Sequence, residues 1–127
     1  MGSKASAMAE RIRTQGLVAI IRGNFTRQQI LAIGEVLLSA GTPVMEVTLN
    51  TTDALGAIAA LRQQFGDQLI VGAGTVRTAD QLQQTVAAGA QFTVAPNLDL
   101  ATVDQAHQHD LLHLPGVFTP TEVQTAF

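Results

Sequence analysis

The sequence predicts a parallel α/β protein. Short apolar runs alternate with longer amphipathic stretches along nearly the whole chain. The alternation repeats about every 19–27 residues, the length of a strand plus its crossover helix. The apolar runs are also close to continuous, as expected of parallel strands buried on both faces.

Leu17–Gly23 (LVAIIRG) reads as the first strand. Thr26–Gly41 follows as a helix, with Ile30, Ile33, Leu37 and Leu38 on one face and Gly41 as its stop. Pro43–Leu49 is the second strand and Thr51–Gly66 the second helix. Gln68–Thr75 is the third strand, and its helix runs to Ala90 from an N-cap at Thr78. Gln91–Pro96, Asp99–Asp110 and Leu111–Gly116 complete the fourth strand, its helix and the fifth strand, and Thr119–Phe127 opens a fifth helix. Met1–Ser6 read as a leader and are left out of the fold, so the domain runs over residues 7–127. Two architectures share this pattern: a doubly wound open sheet, and part of a (βα)8 barrel, which needs ~250 residues when whole.

Composition narrows the function classes. A net charge of −3 with no Trp and no Tyr gives no footing for nucleic acid or an acidic membrane. No apolar run reaches the ~20 residues of a membrane span. Without Cys there is no disulfide, thiol nucleophile or thiolate metal site, and the reducing cytoplasm is the expected home. His107, His109 and His113 lack ligand spacing, so neither metal nor cofactor is expected. A positive mean hydropathy in a chain this short points to surface buried against another body.

In both architectures ligands bind at the C-terminal ends of the strands. Those ends carry Arg22-Gly23, Leu49-Asn50-Thr51, Gly72-Ala73-Gly74-Thr75, Pro96-Asn97 and Pro115-Gly116. In the second strand Val44, Glu46 and Thr48 share one face; Met45, Val47 and Leu49 share the other. The large aliphatic set suits helices, which sends Glu46 into the interior. A carboxyl there has a raised pKa suited to proton transfer, although an ion pair with Arg22 suits the same position. Gly74 and Thr75 offer close backbone approach and a hydroxyl for an anion, and Arg22 can clamp one bidentately.

The runs AIIRG, VMEVTLNT, IVGAGTV, AGAQFTVAPN and LPGVFTPTE, in this order, resemble the KDPG/KHG aldolase family from Leu17 to Phe127. The resemblance implies a (βα)8 barrel of which this chain holds about the first four to five βα units, and a homotrimer. It also implies a class I aldolase, in which a lysine forms a Schiff base with pyruvate while a glutamate moves protons. The reaction would cleave a 2-keto-3-deoxy-6-phospho sugar acid or 4-hydroxy-2-oxoglutarate. Glu46 matches the proton-transferring glutamate, Thr75 the threonine that holds the substrate carboxylate, and Pro96 a pocket-wall proline. Asn50 stands where many members carry an arginine, and Arg22 takes over anion binding. The family's lysine falls on the strand after the TPTEV helix, whereas the lone lysine here is Lys4. The competing expectation is an inactive half-barrel refolded as a flavodoxin-like sheet that only binds small anions.

Overall fold

The computed structural model describes residues 2–127. The elements are α1 (Lys4–Gln15), β1 (Ala19–Ile21), α2 (Arg27–Ser39), β2 (Val44–Thr48), α3 (Ala54–Phe65), β3 (Ile70–Gly74), α4 (Ala79–Ala87), β4 (Phe92–Val94), α5 (Leu100–Gln108), β5 (Leu112–Leu114) and α6 (Pro120–Ala126). A 3₁₀ turn at Gly66–Gln68 links α3 to β3. Every strand and helix read from Leu17 onward is present.

Every helix but α3 starts where a hydroxyl or carboxylate side chain accepts from its free N–H groups. Thr26 and Thr119 form capping boxes with Gln29 and Glu122. Thr78 accepts from the Gln81 N–H, and Asp99 from the Thr102 N–H.

The five strands are all parallel and lie in the order β1-β2-β3-β4-β5. Each crossover therefore steps one strand in the same direction, as in barrel winding. A flavodoxin-like sheet reverses direction and reads 2-1-3-4-5, so that alternative does not describe this chain. Register divides the residues cleanly. Val44, Glu46 and Thr48 lie opposite Ile70, Gly72 and Gly74 on one face. Met45, Val47, Val71 and Ala73 lie on the other, in one buried cluster with Ile30 of α2, Ile58 and Leu61 of α3, and Leu82 of α4.

The first-named face, the inner one, holds a smaller cluster of Val44, Ile70 and Phe92. It is covered by α1, a helix that the sequence reading did not include. Residues Lys4–Ser6, set aside there as a leader, form its first turn. Met8 and Ile12, one turn apart, pack on the cluster from above. Ser3 caps the helix, and the Asp110 carboxylate accepts from the Lys4 and Ala5 N–H groups at 2.7 and 3.3 Å. This ties Lys4 to the loop before β5, at the N-terminal ends of the strands.

β1 and β5 are the sheet edges. Ile20 on β1 and Leu114 on β5 face inward yet are exposed, and Phe118, Val123 and Phe127 are exposed beyond β5. Unpaired edges beside apolar surface recruit further strands. Light scattering of the isolated 127-residue chain is expected to give a mass above that of one chain. A sharp monomer across a tenfold dilution series would show that these edges are tolerated in water.

Candidate functional site

The C-terminal ends of β1, β2 and β3 converge around Glu46. Its side chain stands on the inner face with only 5% of its surface exposed. The space for it comes from β3. A Cβ at Gly74 would collide with Glu46 Oε1 and come within 3.0 Å of Thr48 Cγ2. The glycine therefore makes the cavity in which the carboxylate sits.

Burial pushes the Glu46 carboxyl above the usual carboxylate range, and the positive charge of Arg22 opposes this only in part. Among the described residues the ion pairs are Glu10–Arg13, Arg27–Asp53 and Arg62–Asp67, so Glu46 and Arg22 are not in direct contact. No hydrogen bond within the described residues reaches the Glu46 carboxylate. The structural ion pair that the sequence left open is thus not formed. A buried acid without a bonded counter-ion, with a cation at longer range, is the arrangement that acid–base chemistry uses.

Arg22 follows β1 and is exposed; its guanidinium donates to Thr75 Oγ1 at 3.5 Å. Thr75 follows β3 with φ of 59°. A β-branched residue in the left-handed region is a strained outlier, and such residues concentrate at functional sites. Arg22, Glu46, Gly74 and Thr75 therefore lie together at the C-terminal ends of β1, β2 and β3. Asn50 and Pro96 lie at the same end of the sheet but are exposed, and the Asn50 side chain makes no hydrogen bond within the described residues. Pro96 abuts the turn after β5, where a Cβ on Gly116 would lie 2.5 Å from the Pro96 carbonyl oxygen.

Sequence reasoning placed Thr51 at a strand end but gave it no role. It is 4% exposed, and its hydroxyl joins those of Thr48 and the β1 backbone. The run of hydroxyls in VTLNTT was the available signal. His113 belongs elsewhere: it pairs with Thr93 on the outer face, its Nδ1 lying 2.8 Å from Thr93 Oγ1. Desolvation pushes its pKa down. Among the described residues no group of three or more His, Asp or Glu is placed to hold a metal ion.

Comparison with known proteins gives a consistent result. The sequence model of a family described as KDPG and KHG aldolase matches residues 8–127. A 2-dehydro-3-deoxy-phosphogluconate aldolase of Treponema pallidum (strain Nichols) is 38% identical over 117 residues, covering 92% of this chain and 53% of that protein. A 2-dehydro-3-deoxy-6-phosphogalactonate aldolase of Escherichia coli (strain K12) is 33% identical over 87% of this chain and 53% of its own length. The chain thus spans about half the length of these curated relatives. Among solved structures, a KDPG aldolase of Legionella pneumophila, holding pyruvate as a covalent carbinolamine, superposes with a TM-score of 0.78 at 32% identity, over 86% of this chain and 52% of that one. A 4-hydroxy-2-oxoglutarate/2-dehydro-3-deoxyphosphogluconate aldolase superposes with a TM-score of 0.82 at 32% identity, over 99% of this chain and 59% of that one.

Proposed function

The chain belongs to the KDPG and KHG aldolase family, and we propose that it supplies the proton-transfer and anion-binding half of a class I aldolase site. The observation that carries this is the Glu46 carboxyl, buried beside Gly74 with no bonded counter-ion and with Arg22 and Thr75 at the rim. The partial barrel is the family's fold, with the site at the C-terminal ends of its strands.

The substrate is a 2-keto-3-deoxy-6-phospho sugar acid or 4-hydroxy-2-oxoglutarate, cleaved to pyruvate and an aldehyde. A lysine amine condenses with the C2 carbonyl and expels water. The protonated imine then draws in the electron pair of the breaking C3–C4 bond. Glu46 removes the C4 hydroxyl proton as the aldehyde leaves and later protonates C3 of the enamine; water then hydrolyses the imine, freeing pyruvate and the lysine amine. A carboxyl with a raised pKa serves both steps near neutral pH. Thr75 holds the pyruvate-derived carboxylate, Arg22 a second anionic group, and Pro96 walls the pocket. Asn50, in place of an arginine, shifts anion binding toward Arg22.

Lys4 does not serve as the amine, because its helix is anchored to Asp110 at the opposite ends of the strands. The reading therefore places the nucleophile in sequence beyond Phe127. The carbinolamine captured in the Legionella relative supports covalent chemistry of this kind. A homotrimer in the cytoplasm completes the proposal; no helix among the described residues is long and apolar enough to cross a membrane.

Pyruvate with borohydride, read by intact mass, tests it. The 127-residue chain is expected to stay unmodified, and a chain extended through the next strand to gain one reduced pyruvate. An extended chain that folds but carries no adduct would overturn the aldolase reading.

A further inference from the structure

Arg22 sits just past the last ladder residue of β1, level with Thr48, the last residue of β2, so the ladder ends beside it. From there Thr51, in the turn after β2, takes over. Its hydroxyl donates to the Ile21 carbonyl at 3.1 Å and accepts from the Gly23 N–H at 3.4 Å, which are the groups on either side of Arg22. The Thr48 hydroxyl lies 3.0 Å from that of Thr51 and 3.3 Å from the Ile21 carbonyl. One carbonyl oxygen has lone pairs for both hydroxyls, so every donor in the cluster is satisfied. Thr48 and Thr51 are 0% and 4% exposed, so water does not compete for these groups. The loop is tied again one residue further on, where the Thr52 N–H reaches the Gly23 carbonyl at 3.3 Å and the Thr52 hydroxyl reaches Asn24 Oδ1 at 2.8 Å. Gly23, at φ of 142°, supplies a backbone shape that other residues rarely adopt.

We propose that Thr51 is a positioning residue: by clamping the backbone on both sides of Arg22, it fixes the guanidinium between Thr75 and the Glu46 cavity. This role for Thr51 rests on the reading of Arg22 and Glu46 as the working groups of the site. Thr48 lies on the same face as Glu46 and passes the constraint from β2 to β1, so the acid and the cation are held by one set of hydroxyls. Arg22 is also the charged group that acts on Glu46; the flanking β3 positions, Gly72 and Gly74, bring no charge.

The test reads the Glu46 carboxyl by carbon-detected NMR during a pH titration of the 127-residue chain. It needs no turnover, so failure of the clamp and failure of the aldolase reading register separately. Thr51→Val keeps the shape and removes the hydroxyl. It is expected to move the Glu46 midpoint upward, in the same direction as Arg22→Gln, because the favourable charge is no longer held in place. Thr51→Ser is expected to restore the original midpoint. In the Arg22→Gln background, Thr51→Val is expected to add nothing. A folded Thr51→Val chain with an unmoved midpoint would overturn the proposal. So would a shift that persists without Arg22, since Thr51 would then act on Glu46 by another route. Should Thr51→Val not fold, hydrogen exchange of the unmodified chain decides. The Gly23 amide is expected to exchange more slowly than that of its exposed neighbour Asn24, and equal rates would rule the clamp out.

Discussion

Gly72→Ala is expected to lower the thermal midpoint of the chain by roughly 10 °C. Gly72 lies on the inner face of β3, opposite Glu46 in the ladder. The Phe92 ring lies against it, with Cε1 and Cε2 within 2.5 and 2.6 Å of where a Cβ would stand. The added methyl must therefore move either the ring or the strand. The ring has no free direction: it is fully buried, in a cluster with Val44, Ile70, Val94 and Leu112, and under Met8 and Ile12 of α1. Overpacking of this kind costs about 1–3 kcal/mol, and an unyielding ring puts the cost at the upper end. For a chain of this size each kcal/mol corresponds to about 3–4 °C. Circular dichroism melts at matched concentration check the value, since self-association would itself raise the midpoint. Phe92→Leu in the Gly72→Ala background should recover part of the loss. If it recovers nothing, the steric account of Gly72 is wrong.

The same two layers show what a single sequence could reveal. Helix and strand positions follow from local rules, namely apolar period, hydroxyl caps and glycine stops, and those were legible from Leu17 onward. The face shared by Val44, Glu46 and Thr48 follows from strand alternation alone. Strand order was not legible in the repeat itself, because doubly wound sheets and barrels share the same βα unit and differ only in which neighbour each new strand joins; the family resemblance supplied the barrel. The helix α1 was passed over although Ser3 and Gly16 cap it and Met8 and Ile12 share a face; what was not legible is its docking, which depends on a carboxylate more than a hundred positions away. Nothing near in sequence announces such a contact. At the site, Glu46 could be placed because a strand gives its residues a direction. Thr51 could not be given a role, since it follows a turn whose shape depends on hydrogen bonds back to β1. Thr75 is an inverse case. Its residue type argues against a left-handed backbone, so its strained conformation came to light only in three dimensions.

Glu46→Gln is expected to stabilise the chain at neutral pH while removing its chemistry. The sign follows from linkage. Burial raises the carboxyl pKa of the folded state above the ordinary value of 4.5. Between those two values the folded chain holds a proton that the unfolded chain has released, so stability falls as pH rises through that window. Below the window both states are protonated and Glu46 costs nothing as a charge. Above it the full cost of a buried carboxylate is present. The difference in stability between Glu46→Gln and the unmodified chain should therefore be small in acid, grow as pH passes upward through the window, and level off beyond it. Comparing the two chains isolates this group. Asp110 and Glu122, whose carboxyls are held low by backbone and hydroxyl donors, impose the opposite slope on both chains equally. Denaturant midpoints across pH give the curve. A constant difference at all pH values would mean that Glu46 titrates normally, and the argument for a proton shuttle would lose its physical basis. The functional half is read on an extended chain that forms the pyruvate adduct. There, exchange of the pyruvate methyl protons into deuterated water should slow by about 10²–10⁴-fold, the usual contribution of a general acid–base group. Adduct formation itself should survive. A chain that is more stable, still binds pyruvate covalently, yet no longer exchanges its protons would show why an isolated carboxylate is kept in an apolar strand.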